Sequence, residues 1–201
     1  MRFVDELEFA VGWIAPEPRF MQRASHAVAD GGRVWVIDPV DDDEAIRRMR
    51  ALGEPAGVVQ LLDRHNRDCA LVARRLGVPH LAVPETAPAG AGFEVIPLLR
   101  RRRWHEVALW FPATRTLVCA DALGTAPYYR ARSERIAVSP LLRLTPPQAL
   151  LAFEPEHVLV GHGAGVHDGA AGAVREALTK SRRRTPSWLV SGARSVLVTR
   201  R

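Results

Sequence analysis

Three short stretches of the chain carry side chains able to bind a metal ion or move a proton, and each directly follows an apolar run. The first is Asp63-Arg64-His65-Asn66-Arg67-Asp68, after Gly57-Val58-Val59-Gln60-Leu61-Leu62. The second is Asp121, after Leu117-Val118-Cys119-Ala120, and the third is Gly161-His162-Gly163, after Val158-Leu159-Val160. Imidazoles and carboxylates are the nitrogen and oxygen donors that suit zinc, and carboxylate-rich sets also suit iron or manganese. A metal so held activates water for hydrolysis. The arginines beside these donors bring fixed positive charge and a planar fork that binds carboxylate or phosphate.

Such residues must be carried by elements that end on a common edge. Apolar runs of three to six residues such as these read as buried strands, and polar side chains just beyond their carboxyl ends are where α/β proteins place their sites. Residues 3–9, 27–29 and 34–37 read as the first strands, with a turn at Asp30-Gly31-Gly32. Asp41-Asp42-Asp43-Glu44 starts a helix over 45–52, its acids at the positive end of the dipole, and Gly53 closes it. Strand 57–62, helix 66–76 with Asn66 as a candidate N-cap, and strand 80–83 form a βαβ-like unit. Strands follow at 93–98, 106–111, 116–120 and 158–160. A helix over 168–181 comes next, and 188–197 reads as a further helix. Asp38, followed by Pro39, reads as a turn former. His105, His157 and His167 read as structural histidines.

With 201 residues, 47% of them hydrophobic and 25% charged, the chain is expected to form a single domain over 1–201, with 170–201 as its C-terminal helical part. No run approaches the roughly 20 apolar residues of a membrane helix, and the acidic N-terminus lacks the pattern of a signal peptide. The expectation is a cytoplasmic protein. Cys69 and Cys119 make no disulfide framework and read as buried free thiols. The net charge of +6 rests almost wholly on arginine, Lys180 being the only lysine. Runs at Arg100 to Arg103 and Arg182 to Arg184 permit nucleic-acid binding, but no aromatic residues interleave the second and no nucleic-acid motif accompanies them. They read as solvated surface. The oligomeric state is not encoded in any of these features.

The order and separation of the strand-end motifs resemble the metallo-β-lactamase superfamily. Leu117-Val118-Cys119-Ala120-Asp121 resembles the strand delivering that family's bridging aspartate, and Val158-Leu159-Val160-Gly161-His162 the strand delivering its last histidine. Val36-Ile37-Asp38-Pro39 and Glu106-Val107-Ala108-Leu109-Trp110 resemble family strands too. The resemblance implies a mixed α/β fold, a four-layer αββα sandwich. It also implies a metal set of Asp63, His65, Asp68, Asp121 and His162. Arg67 then stands where the family has an aspartate that binds a second metal, and Arg102 near a further histidine. Two functions follow as expectations. One is a hydrolase with a single metal, zinc or else iron or manganese, and an incomplete ligand set that argues against a two-metal centre. The other is a metal-free, non-catalytic protein of the same fold that binds a small anionic molecule through Arg67 and Arg102, with Arg64 a further anion-binding candidate.

Overall fold

The computed structural model describes residues 1–131 and 133–199. Twelve strands, three α-helices and two 3-10 turns follow one another along it. The strands are β1 (Arg2–Leu7), β2 (Ala10–Ile14), β3 (Ala24–Asp30), β4 (Arg33–Ile37), β5 (Glu54–Gln60), β6 (His80–Ala82), β7 (Glu94–Arg101), β8 (Trp104–Phe111), β9 (Thr116–Cys119), β10 (Leu123–Gly124), β11 (Ala137–Val138) and β12 (His157–Val160). The helices are α1 (Asp43–Leu52), α2 (Cys69–Leu76) and α3 (Ala170–Thr199).

Two mixed sheets result. One has six strands in the order β1-β2-β3-β4-β5-β6, and the other four in the order β12-β9-β8-β7. In the first, β1 to β4 pair antiparallel, while β4, β5 and β6 run parallel with α1 and α2 as crossovers. In the second, β12 is parallel to β9 and the other pairs are antiparallel. Each sheet therefore contains a parallel pair whose strands end at the shared edge, β4 with β5 in the first and β9 with β12 in the second. Those four ends carry the candidate site.

The sheets pack face to face over Trp35, Ile37, Val59 and Leu61 from one and Val107, Leu109, Leu117 and Leu159 from the other. Full burial of each such side chain contributes about 1.5–3 kcal/mol. A second apolar layer joins the other face of the six-stranded sheet to α1 and α2 through Trp13, Val36, Met49 and Val72. On the far side α3 packs against β11 and β12 and brings Ala173, Val174, Ala177 and Leu178 into the main core. The layers are helix, sheet, sheet, helix.

The expected elements are largely present, and three of the differences bear on how the chain is read. The strand expected over 3–9 ends at Leu7 as β1, and a strand that was not expected, β2, follows as the wholly buried run Ala10-Val11-Gly12-Trp13-Ile14. Gly12 permits close packing within it, since a Cβ there would lie 2.9 Å from Asp5 Oδ2 and 3.0 Å from His26 Nδ1. The helix N-cap expected at Asn66 lies instead at Asp68. The Asn66 side chain accepts from Gln60 Nε2 at 3.2 Å, so it is held away from the first turn of α2. The two C-terminal helices are one, because α3 runs from Ala170 through Pro186 to Thr199. Residues 200 and 201 of the expected helical part lie outside the described residues.

Candidate metal centre

The loop edge shared by the two sheets gathers side chains from all four strand ends. Asp38 follows β4, His65 follows the extended pair Leu61-Leu62 after β5, Asp121 follows β9 by two residues, and His162 follows β12 by two. The ends approach closely. A Cβ on Gly161 would lie 2.8 Å from the carbonyl oxygen of Ala120, so glycine is what lets the β12 end lie against the β9 end. Asp38 and Arg67 both hold positive φ, 45° and 37°, a region in which residues other than glycine are strained and which clusters at functional sites.

His65, Asp121 and His162 present ligand atoms that all lie within 4.8 Å of one another. His65 Nε2 is 3.0 Å from Asp121 Oδ1, and His162 Nε2 is 2.9 Å from the same oxygen. Neither approach has hydrogen-bonding geometry, and Oδ1 is buried with no hydrogen-bond partner among the described residues. The opposite ring nitrogens are engaged. His162 Nδ1 donates to the carbonyl of Met21 at 2.7 Å, and His65 Nδ1 donates to Asp38 Oδ2 at 2.8 Å. These partners, from which the tautomers are assigned, put the proton on Nδ1 and leave each Nε2 with its lone pair directed at the centre. Two nitrogen lone pairs and a carboxylate oxygen facing one another repel unless a cation lies between them. The donor set thus fits a metal ion, with the outer nitrogens braced as metal-bound histidines usually are.

Burial opposes ionisation of Asp121; as protonated donors, His162 and His65 would hold its carboxyl well below the usual carboxylate range, and a cation between the three groups would act in the same direction. Burial pushes His162 toward its neutral form, the form a metal requires. For His65, burial and the Arg67 charge act in the same downward direction, and the carboxylates of Asp38 and Asp121 outweigh them and raise it. Around the cluster, Tyr129 stacks on His162 with ring centroids 5.7 Å apart, and its hydroxyl donates to the Asp121 carbonyl at 3.1 Å. Asp38 Oδ1 accepts from the Leu61 backbone at 2.9 Å, which orients the carboxylate toward His65.

The other residues singled out in the sequence lie elsewhere. Asp63 is exposed and is not in the cluster. Asp68 Oδ2 accepts from the Asp41 backbone at 2.9 Å, so its carboxylate is turned toward the start of α1. The guanidinium of Arg67 donates to three carbonyls, those of Ala24, Asp38 (2.8 Å) and Gly161 (3.0 Å). It clasps the edges of the two sheets together and is committed to backbone. Arg102 sits exposed at the turn between β7 and β8, whereas the Arg67 guanidinium is half-buried and spent on backbone carbonyls. Arg64 does reach the cluster. Its exposed guanidinium lies over the Trp104 ring, 4.4 Å from the centroid, with Nη2 3.4 Å from Asp121 Oδ2. Cys69 and Cys119 are buried free thiols. No described helix is long and apolar enough to cross a membrane.

Sequence reasoning missed Asp38, the Met21 carbonyl and Tyr129. Asp38 carried the same signal as the residues that were found, a polar side chain directly after an apolar strand, but Pro39 next to it suggested a turn. The Met21 carbonyl is a backbone group in an irregular loop and left no trace in residue type.

No family model and no curated protein matches the sequence. Solved structures do. DIM-1 metallo-β-lactamase superposes with a TM-score of 0.61 at 13% identity, covering 90% of this chain and 97% of that one. A metallo-β-lactamase from Hirschia baltica gives 0.61 at 11% identity, covering 92% and 97%. The TMB-1 structure gives 0.57 at 10% identity, covering 90% and 97%. At such identities the likeness speaks for architecture, and with the two mixed sheets and their flanking helices it establishes that this chain has the metallo-β-lactamase fold.

Proposed function

We propose that the chain is a hydrolase dependent on one divalent metal, held by His65, Asp121 and His162, and that its substrate carries a negative charge. The convergence of two Nε2 atoms on the partnerless Asp121 Oδ1 carries this reading. Three protein ligands with a position left open is the arrangement of catalytic rather than structural sites. A metal bound there would supply Lewis-acid activation of water and polarisation of the substrate oxygen. Asp38 and the Met21 carbonyl keep the protons of both imidazoles on the far side. Arg64, exposed and resting on Trp104, is placed to receive an anionic group beside the reacting centre. A second metal is disfavoured because the carboxylate of Asp68 is turned away and the fixed charge of Arg67 lies in the same loop.

A second reading has one observation in its favour. The raised pKa of His65 allows an imidazolium bridging Asp38 and Asp121, which would serve as an internal cation in a metal-free binding protein. Elemental analysis after dialysis against zinc, iron or manganese separates the two. The hydrolase reading expects one equivalent of metal per chain, lost in His162→Ala, with hydrolysis of anionic esters or phosphodiesters lost in parallel. Less than a tenth of an equivalent with any of the three metals refutes it.

A further inference from the structure

Behind the His162 loop the surface opens into a cleft of about 430 Å³ that contains none of the three metal-binding side chains. Arg2, Arg130, Arg135 and His167 line it, with Thr125 and Gln22 among the polar groups of its wall. Its volume lies in the range of small-molecule sites, roughly 300–1,000 Å³.

The arginines of this cleft are not paired with carboxylates. Among the described residues, Arg2, Arg130 and Arg135 make no ion pair with a carboxylate. Glu134, in the same loop as Arg130 and Arg135, is bound by the buried Arg143 at 2.6 and 3.2 Å. Arg135 Nη2 donates to the backbone carbonyl of Asp168 at 2.6 Å, not to its carboxylate. Arg130 makes only a 3.4 Å contact to the Glu134 carbonyl, and its Nε is buried without a partner. The imidazole of His167 is fixed by Asp5 Oδ1, 3.0 Å from Nε2, and that same oxygen accepts from the Gly165 backbone at 2.8 Å. A cleft lined by three arginines, with one donor unsatisfied and no carboxylate among its lining residues, is complementary to an oxyanion, which guanidinium groups bind through paired hydrogen bonds.

We infer that this cleft binds a small molecule bearing at least two negative charges on oxygen, a phosphate ester or a polycarboxylate, at a site distinct from the metal centre. No Phe, Tyr or Trp lines it, so it has no platform on which a nucleic-acid base would stack. The cleft adjoins the metal centre through one loop. Thr125 Oγ1 donates to the Ala164 carbonyl at 2.5 Å, and the Gly163 backbone donates to the Gln22 carbonyl at 2.9 Å. Occupancy therefore bears on the segment that carries His162.

Isothermal titration of the full chain with pyrophosphate, and separately with tricarballylate, tests the inference at physiological ionic strength. One saturable site for either titrant is expected, pyrophosphate alone indicating a phosphate ligand and tricarballylate alone a polycarboxylate. Arg130→Gln and the exposed Arg2→Gln should each weaken it at least about tenfold. His162→Ala should leave it in place, which separates this site from the proposed metal reading. Failure of both titrants to saturate, affinity unchanged in both arginine variants, or binding lost in His162→Ala alone would overturn it.

Discussion

Which nitrogen of His65 carries the proton is decided by Asp38, whose Oδ2 accepts from Nδ1 and whose Oδ1 is held by the Leu61 backbone. Asp38→Asn is therefore an informative single change. Asparagine tolerates the positive φ of this position, and its oxygen can keep the bond to Leu61. Its amide group would then face His65 Nδ1 as a donor and move the imidazole proton to Nε2, turning a metal ligand into a hydrogen-bond donor. Loss of such an outer partner typically costs 10–100-fold in metal affinity. A competition titration with a chromophoric chelator should show zinc affinity falling by that factor. Affinity unchanged in the variant would mean that Asp38 does not set the tautomer.

Between elements, the contact of most consequence is the one Glu106 makes from β8 to the turn after β9. It is fully buried, with Oε2 accepting from Trp104 Nε1 and Oε1 from the Ala122 backbone, both at 2.7 Å. Burial, reinforced by Asp121, pushes its carboxyl up to about 8 despite those two donors. An acid raised in this way binds its proton more tightly folded than unfolded. Its contribution is complete below about pH 4.5 and is lost as pH rises toward 8, by several kcal/mol at most. Urea unfolding of metal-free protein should show stability falling across that window and levelling above it, with Glu106→Gln flattening the fall. An unaltered pH profile in the variant would assign the dependence to other groups. The elements themselves were readable where apolar runs were long and bounded, as in 57–62 and 116–120. β2 was not, because Gly12 interrupts its pattern for a reason visible only once Asp5 and His26 lie against it. The same limit governs the site. Strand ends located His65, Asp121 and His162, whereas the directions of Asp63, Arg67 and Asp68 depend on the path of an irregular loop, which residue spacing does not encode.

At the scale of the whole molecule, the candidate ligands are divided between the sheets: His65 follows a strand of the six-stranded sheet, and Asp121 and His162 follow strands of the four-stranded one. Arg67 spans the same division, with Ala24 and Asp38 on one side and Gly161 on the other. A metal bound at the three ligands would thus join the two halves of the sandwich, and its binding free energy would enter global stability, because the unfolded chain keeps no such arrangement. At a free zinc concentration 100 times the dissociation constant, the gain is about 2.7 kcal/mol, and for a chain of this size the thermal midpoint should rise by about 5–10 °C. Scanning calorimetry with and without zinc measures this, and His162→Ala should abolish the rise. Because the ion would bridge the sheets, hydrogen exchange should slow in both β5 and β12. Slowing confined to one sheet, or a midpoint indifferent to zinc, would contradict a site shared between them.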